Sequence, residues 1–464
     1  MFWLDDKLKE ECGVFGVYSE NKEKVSNLIY FGLYALQHRG QESAGIAVSD
    51  NKEVDYYKDM GLVSEIFNDD ILASLQGNIG IGHVRYSTTG ESHVENAQPL
   101  VVKYKNGTIA LAHNGNLVNA DALREILEDE GVVFQTSTDT EVVANLLARY
   151  HKDGIVKSVK KVMELVKGAF AFAIMTDNKL IGVRDLYGLR PLCIGKLDDG
   201  YVLASESCAL DTVGAEFVRD VEPGEIVIIE NNELKSIKSS KWCRKNLCMF
   251  ELIYFARPDS TIDGINVYLA RSEAGRILAK EAPVDADVVI SVPDSGTPAA
   301  IGYAEESGIP YGIGLIKNKY AGRTFIQPTQ ELREQGVKLK LNVLKENVEG
   351  KRVVMVDDSI VRGTTSKRLV NMLKKAGAKE VHVRVTSPPV KYPCYFGIDT
   401  PYRKYLVGAT KTVEEIRDMI NADSLAYISM DGLLKSTGCD KGFCLACFNG
   451  DYPMEVPLDG DNKK

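Results

Sequence analysis

No apolar run in these 464 residues approaches the roughly 20 that a membrane helix needs, so spanning by a helix is excluded. Basic charge is short as well. Lysine and arginine number 56 against 65 acids, a net charge of −9 with a pI of about 5.4, which argues against non-specific nucleic-acid binding. There is no internal repeat, low-complexity tract or Gly/Ser-rich linker, so a packed domain interface is expected in place of a flexible tether. The opening MFWLDDKLKEE is too charged for a secretory h-region. Nine cysteines, an odd number without such a signal, point to a reducing, cytoplasmic compartment and away from a disulfide framework. What remains is ordinary soluble composition, 44% hydrophobic and 26% charged, in a chain long enough for two large domains.

The most informative stretch is VVMVDDSIVRGTT, Val353 to Thr365. Its apolar start suits a parallel strand buried on both faces, and Leu369, Met372, Leu373 and Ala376 then recur at helical spacing until Gly377. Backbone N–H groups of a loop entering a helix favour a phosphate; Gly363 permits close approach, and Thr364 and Thr365 add hydroxyl donors. Asp357 and Asp358 would repel phosphate, but carboxylates accept hydrogen bonds from adjacent ribose hydroxyls. The pattern predicts a cradle for a ribose 5-phosphate. A second strand-loop-helix unit lies upstream, where Asp287 to Val292 runs into PDSGTPAA and then Ala299, Ala300, Tyr303 and Ala304 before Gly308. Between the two units, Lys317 to Asn342 is hydrophilic and basic through Lys317, Lys319, Arg323 and Lys338, as a lid over a polyanion would be.

These residues resemble the motif of type I phosphoribosyltransferases, which attack C1 of phosphoribosyl pyrophosphate (PRPP) and expel pyrophosphate. The resemblance implies PRPP contacts from Asp357, Asp358, Ser359, Arg362, Gly363, Thr364 and Thr365. It makes Asp294, Ser295, Gly296 and Thr297 the pyrophosphate loop, with Lys317 and Lys319 alongside, and places one Mg²⁺ per subunit at Ser295, Asp357 and Asp358.

Toward the other end, Cys12 precedes an alternating strand, GVFGVYS, and four polar islands follow among apolar strands: QHRGQESAGIAV (Gln37 to Val48), GHVRYSTTG (Gly82 to Gly90), HNGNLVN (His113 to Asn119) and TSTDTE (Thr136 to Glu141). With Cys12 they resemble the glutaminase of class II glutamine amidotransferases, an N-terminal-nucleophile fold. A thiol attacks an amide as thiolate and needs a base; a free α-amino group, with a pKa of about 7.7 to 8.0, serves at neutral pH. Removing a propeptide, residues 1–11, would create it on Cys12. By the resemblance, Arg85 clamps the glutamine carboxylate, Asp139 takes its amino group, and Asn114 with the Gly115 N–H forms the oxyanion hole. Arg39 and Gly40 wall the glutamine pocket, and His38 and His83 receive no proton-transfer role.

Together the two likenesses cover nearly the whole chain and imply an α/β protein of two domains: an αββα sandwich glutaminase at 12–240, and a parallel α/β phosphoribosyltransferase at 241–464, βαβ-patterned to about Gly432 and ending in a cluster-binding segment. The implied reaction makes 5-phosphoribosylamine from glutamine and PRPP, with release of glutamate and pyrophosphate, at the first committed step of purine synthesis. Purine nucleotides are the implied feedback inhibitors and a homotetramer the implied assembly. Other amidotransferases with this glutaminase, such as hexosamine-phosphate or asparagine synthases, lack the DDSIVRGTT motif. A PRPP-sensing nucleic-acid binder would lack the Cys12 machinery.

Cys193 and Cys208 lie in apolar patterns as small core residues. Cys444 and Cys447 form a CxxC, which reads as a redox pair, half a zinc site or half an iron–sulfur site; with no thioredoxin-like context, metal leads. Some bacterial-type members of the resembled family carry a [4Fe–4S] cluster, and the positions that match its ligands are Cys248, Cys394, Cys444 and Cys447. Cys439 or Cys243 is the alternative ligand, and four-cysteine zinc the rival metal.

Overall fold

A computed structural model describes residues 12–86, 93–239, 243–318, 341–400 and 402–457. The expected propeptide 1–11, the expected PRPP contact Lys319 and most of the expected lid lie outside these residues.

In the N-terminal half, short alternating strands build two antiparallel sheets. One has seven strands in the order Glu216–Asp220, Cys193–Leu197, Gly200–Ala204, Gly13–Ser19, Ile79–Arg85, Ser43–Ser49, Val54–Met60; the other has six, Glu233–Lys238, Glu225–Glu230, Leu180–Arg184, Gly168–Met175, Gly107–Leu117, Leu100–Tyr104. Strand periodicity decides what each face meets. Val14, Ala47 and Ile81 of the first sheet pack on Ala110, Ala112, Ala171 and Ala173 of the second, small residues that let the sheets approach. One residue along, Phe15 and Val17 turn outward to Ile29 and Leu33 of helix Val25–Ala35. Ile109 and Leu111 likewise turn outward to Val143, Leu146 and Val162 of helices Asp139–Arg149 and Ile155–Leu165. The result is the four-layer αββα sandwich.

The C-terminal half centres on a four-stranded parallel sheet, Val288–Ser291, Arg352–Asp357, Glu380–Val385, Ser424–Tyr427. Its apolar run is buried on both faces. Val353 and Met355 pack with Leu369, Leu373 and Ile416 on one side, while Val354 and Val356 join Leu278 and Tyr303 on the other. Helix Thr297–Ser307 ends at Gly308 in the left-handed conformation, and helix Thr364–Lys375 begins after Gly363. Near the junction of the halves, Leu247–Cys248 pairs in parallel with Phe443–Cys444 from far downstream. The surrounding core takes in Ala169 and Leu189 of the first half, so the two halves share packed apolar surface. Among the described residues no helix is long and apolar enough to cross a membrane.

Candidate active site

Strand pairing brings the first set of residues together. Gly13 pairs with Val84, so Cys12 lies beside the end of strand Ile79–Arg85, and its Sγ is 3.5 Å from the carbonyl of Tyr86. The second sheet joins through His83, whose Nε2 donates to the carbonyl of His113 at 3.0 Å, one residue before Asn114. Asn114 is fully buried, yet neither of its amide atoms has a hydrogen-bond partner among the described residues. An orphaned buried amide costs roughly 1–3 kcal/mol and marks a position where an absent ligand would be served. Gly115 has φ +141°, and a Cβ there would stand 2.0 Å from the carbonyl oxygen of Ala169. Only glycine fits.

Substrate-sized charges flank this spot. Arg85 is buried with Nη1 3.6 Å from Glu42. Asp139 accepts from the Leu117 N–H at 3.0 Å and stands 3.4 Å from His113 Nδ1. Burial pushes the Asp139 carboxyl up, but His113 and the backbone N–H groups outweigh it and hold it ionised. Gly40 packs against the backbone of Val84 and Arg85. Arg39 is buried; its Nε donates to the Cys12 carbonyl at 3.2 Å, while its other nitrogens bind Glu206 and Glu251. His38 binds Glu206 at 2.7 Å. His83 is buried, and burial pulls its pKa down to about 3, so it stays neutral at working pH.

A second set lies at the carboxyl ends of the parallel strands. Asp357 and Asp358 are both about 1% exposed. Asp357 accepts from the Asp358 N–H at 2.9 Å, and Asp358 accepts from the hydroxyls of Ser359, at 2.7 Å, and Ser295. That last bond joins the two strand-loop-helix units. Thr297 Oγ1 is 3.1 Å from Ser291 Oγ, Gly296 packs under the carbonyls of Val292 and Val356, and Lys317 Nζ reaches Asp294 at 2.7 Å. Gly363 has φ +80°, presenting the loop's end and the start of helix Thr364–Lys375 with Thr364 exposed and Arg362 and Thr365 partly so. Two carboxylates and a hydroxyl are hard oxygen donors of the kind Mg²⁺ shares with a substrate's phosphates.

The four expected thiols also draw together. Cys248 and Cys444 are partners across the parallel pair, and the Cys447 carbonyl accepts from Lys391 and Tyr392 at 2.8 and 3.0 Å, anchoring the loop that carries Cys394. Burial raises the Cys447 thiol well above its ordinary value, and Cys248, Cys444 and Cys394 raise it further; burial pushes Cys444 up to about 12. Among the described residues, no three His, Cys, Asp or Glu side chains close on a single ion-sized point. Cys439 is exposed, and Cys243 packs at Gly224. Cys193 and Cys208 are buried.

Sequence reasoning passed over three buried charges here, Arg190, Glu206 and Glu251. Glu206 accepts from His38, Arg39, the Ser260 hydroxyl at 2.6 Å and the Arg257 N–H at 2.9 Å. Burial alone would raise its pKa; His38 and Arg39 more than reverse that. Each is a lone charge inside an apolar stretch (GLRPL, LASESCAL, MFELIYF), which is the one signal that marks a paired interior charge.

Fold and sites define a two-domain glutamine amidotransferase whose acceptor domain is a phosphoribosyltransferase. Comparison agrees: residues 83–212 match the glutamine amidotransferase domain family and residues 270–387 the phosphoribosyl transferase domain family. The chain is 56% identical to the amidophosphoribosyltransferase of Archaeoglobus fulgidus, over 96% of this chain and 98% of that one, and 53% identical to that of Bacillus subtilis, over 97% and 96%. The solved B. subtilis glutamine PRPP amidotransferase, complexed with ADP and GMP, superposes with a TM-score of 0.91 at 52% identity, covering 97% of this chain and 98% of that one. A solved structure described as the allosteric regulatory enzyme of purine biosynthesis gives 0.92, also at 52% identity, covering 97% of each chain. This chain belongs to the amidophosphoribosyltransferase family. Its reaction is glutamine-dependent amidotransfer to PRPP in purine biosynthesis.

Proposed function

We propose that Cys12, freed of residues 1–11, attacks the glutamine side-chain amide while its own α-amino group takes the thiol proton. Arg85 and Asp139 hold the zwitterionic end, and Asn114 with the Gly115 N–H receives the oxyanion. The thioester that forms releases ammonia, and water then frees glutamate. At the second site Asp357 and Asp358 accept from the ribose hydroxyls, the Gly363 to Thr365 turn holds the 5-phosphate, and Asp294 to Thr297 hold the pyrophosphate that leaves as ammonia adds to C1. Ammonia must pass through a dry route, since protonation would remove its lone pair. The observation that carries this reading is the unpartnered, fully buried amide of Asn114 on the strand that reaches the Cys12 end of the sandwich.

For cofactors, Ser295, Asp357 and Asp358 would hold one Mg²⁺, which neutralises pyrophosphate charge. Cys248, Cys394, Cys444 and Cys447 would hold a [4Fe–4S] cluster. Their thiols suit it because each binds its own iron, so they need not close on one point as zinc requires. When bound, the cluster supplies cross-links among three chain segments. Purine nucleotides as inhibitors, a homotetramer and a cytoplasmic setting complete the proposal; the nucleotides are supported by the ADP and GMP of the B. subtilis structure. The test is anaerobic purification followed by assay of glutamate and pyrophosphate release, with and without PRPP and Mg²⁺. Equal release of both, and only together, is expected; glutamate without pyrophosphate would overturn it.

A further inference from the structure

The glutamine site is completed by residues from beyond its own half of the chain. Arg39, Arg190, Glu206 and Glu251 are each no more than 1% exposed and form one network. Glu251 binds Arg39 through both oxygens, at 2.7 and 3.0 Å, and stands 3.5 Å from Arg190. A well-packed apolar cluster of the same volume would be at least as stable as four buried charges, so stability alone does not account for them. What the network holds is backbone. At one end Arg39 donates to the Cys12 carbonyl at 3.2 Å; at the other Arg190 donates Nε to the Phe396 carbonyl at 3.1 Å. Beside that contact Asn116 donates to the Tyr395 carbonyl at 2.8 Å, and a Cβ on Gly397 would stand only 3.2 Å from the Gly115 carbonyl carbon. Glu251 follows closely on Cys248, and Phe396 on Cys394. Two cysteine-bearing segments of the C-terminal half therefore reach the site: one holds the Cys12 backbone through Arg39, and the other lies against the strand carrying Asn114 and Gly115.

We propose that Arg190 and Glu251 are positioning residues for the glutamine half-reaction, through which the C-terminal half sets Cys12 and the oxyanion strand in register. This rests on the two-site reading above. Neither residue belongs to the set expected at the glutamine pocket, Arg85, Asp139, Arg39 and Gly40; Glu251 acts through Arg39, whose Nε holds the Cys12 carbonyl, so its loss is expected to fall on turnover more than on affinity.

The test uses the full-length enzyme carrying Glu251→Gln, which keeps shape and removes one charge. Glutamine-dependent kcat is expected to fall by about tenfold or more, with KM for glutamine and ammonia-dependent PRPP consumption each held within about twofold. Labelling of Cys12 by diazo-oxo-norleucine, followed by intact mass, should slow in step. Arg190→Lys keeps the charge, but a point donor cannot serve Phe396 and Glu251 together; a smaller loss of the same kind is expected, and this variant decides the matter if Glu251→Gln does not accumulate. Equal loss of both activities, an unchanged glutamine kcat, or a rise in KM alone would overturn the proposal. A wild-type enzyme releasing glutamate without pyrophosphate would instead overturn the two-site reading.

Discussion

Asn114 and His83 are buried polar residues with opposite purposes. The Asn114 amide has no partner among the described residues, which suits a donor kept for the oxyanion. Asn114→Ala is expected to lower glutaminase turnover by about 10²-fold to 10³-fold while leaving ammonia-dependent synthesis intact, as read from paired assays with glutamine and ammonium chloride. His83 is held neutral by burial, with its pKa depressed to about 3 from 6.5. Between those values the unfolded chain binds a proton that the folded chain refuses, so stability falls as pH drops below about 6.5, approaching roughly 1.4 kcal/mol per pH unit from this group. Urea midpoints from pH 7 to 4 for the wild type and His83→Gln should converge toward acid. The motif residues were legible because each island sets a run of polar side chains among apolar strands, three of the four with a glycine, a combination that packing alone does not call for. Arg190, Glu206 and Glu251 were not, since a buried charge is recognised by its partner, and Arg39 and Glu251 lie 212 positions apart.

Among elements, the strand-loop-helix units were the most readable. The Val353 to Val356 run and the repeat after it predicted a strand and a helix, and the structure places them at Arg352–Asp357 and Thr364–Lys375. Not readable was the contact between the units, where Ser295 donates to Asp358 across 63 positions. Gly363→Ala forces a side chain into φ +80° and against the Met419 methyl. The methyl can move, so the backbone sets the cost at about 1–2 kcal/mol; a raised KM for PRPP with unchanged glutamine KM should accompany it in steady-state assays. The pair Leu247–Cys248 with Phe443–Cys444 is only two residues long on each side. If iron bridges its thiols, oxidative removal should expose the chain after residue 430 to limited proteolysis, while the αββα half stays protected. Iron content and fragment masses would check this.

For the whole molecule, the two halves share packed apolar surface and a charge network. Glutaminase activity is therefore expected to idle without PRPP and rise when PRPP and Mg²⁺ are added together. A glutaminase rate equal in both conditions would refute the coupling. Absence of a linker in the sequence had pointed to a packed interface, but the geometry of that interface depends on which backbone carbonyls Arg190 and Asn116 reach, and carbonyls carry no sequence signature.

The pairing of residue 248 with residue 444 also sets an order of events on the ribosome. The sandwich leaves the exit tunnel first and has its own core, yet Glu251, which binds Arg39, and the Tyr395 and Phe396 carbonyls, which hold Asn116 and Arg190, emerge later, and the strand paired with Leu247–Cys248 emerges nearly last. If Glu251 positions Cys12 as proposed, the half made earliest gains its full competence only late in synthesis, and a chain ending before Glu251 is expected to hydrolyse glutamine slowly.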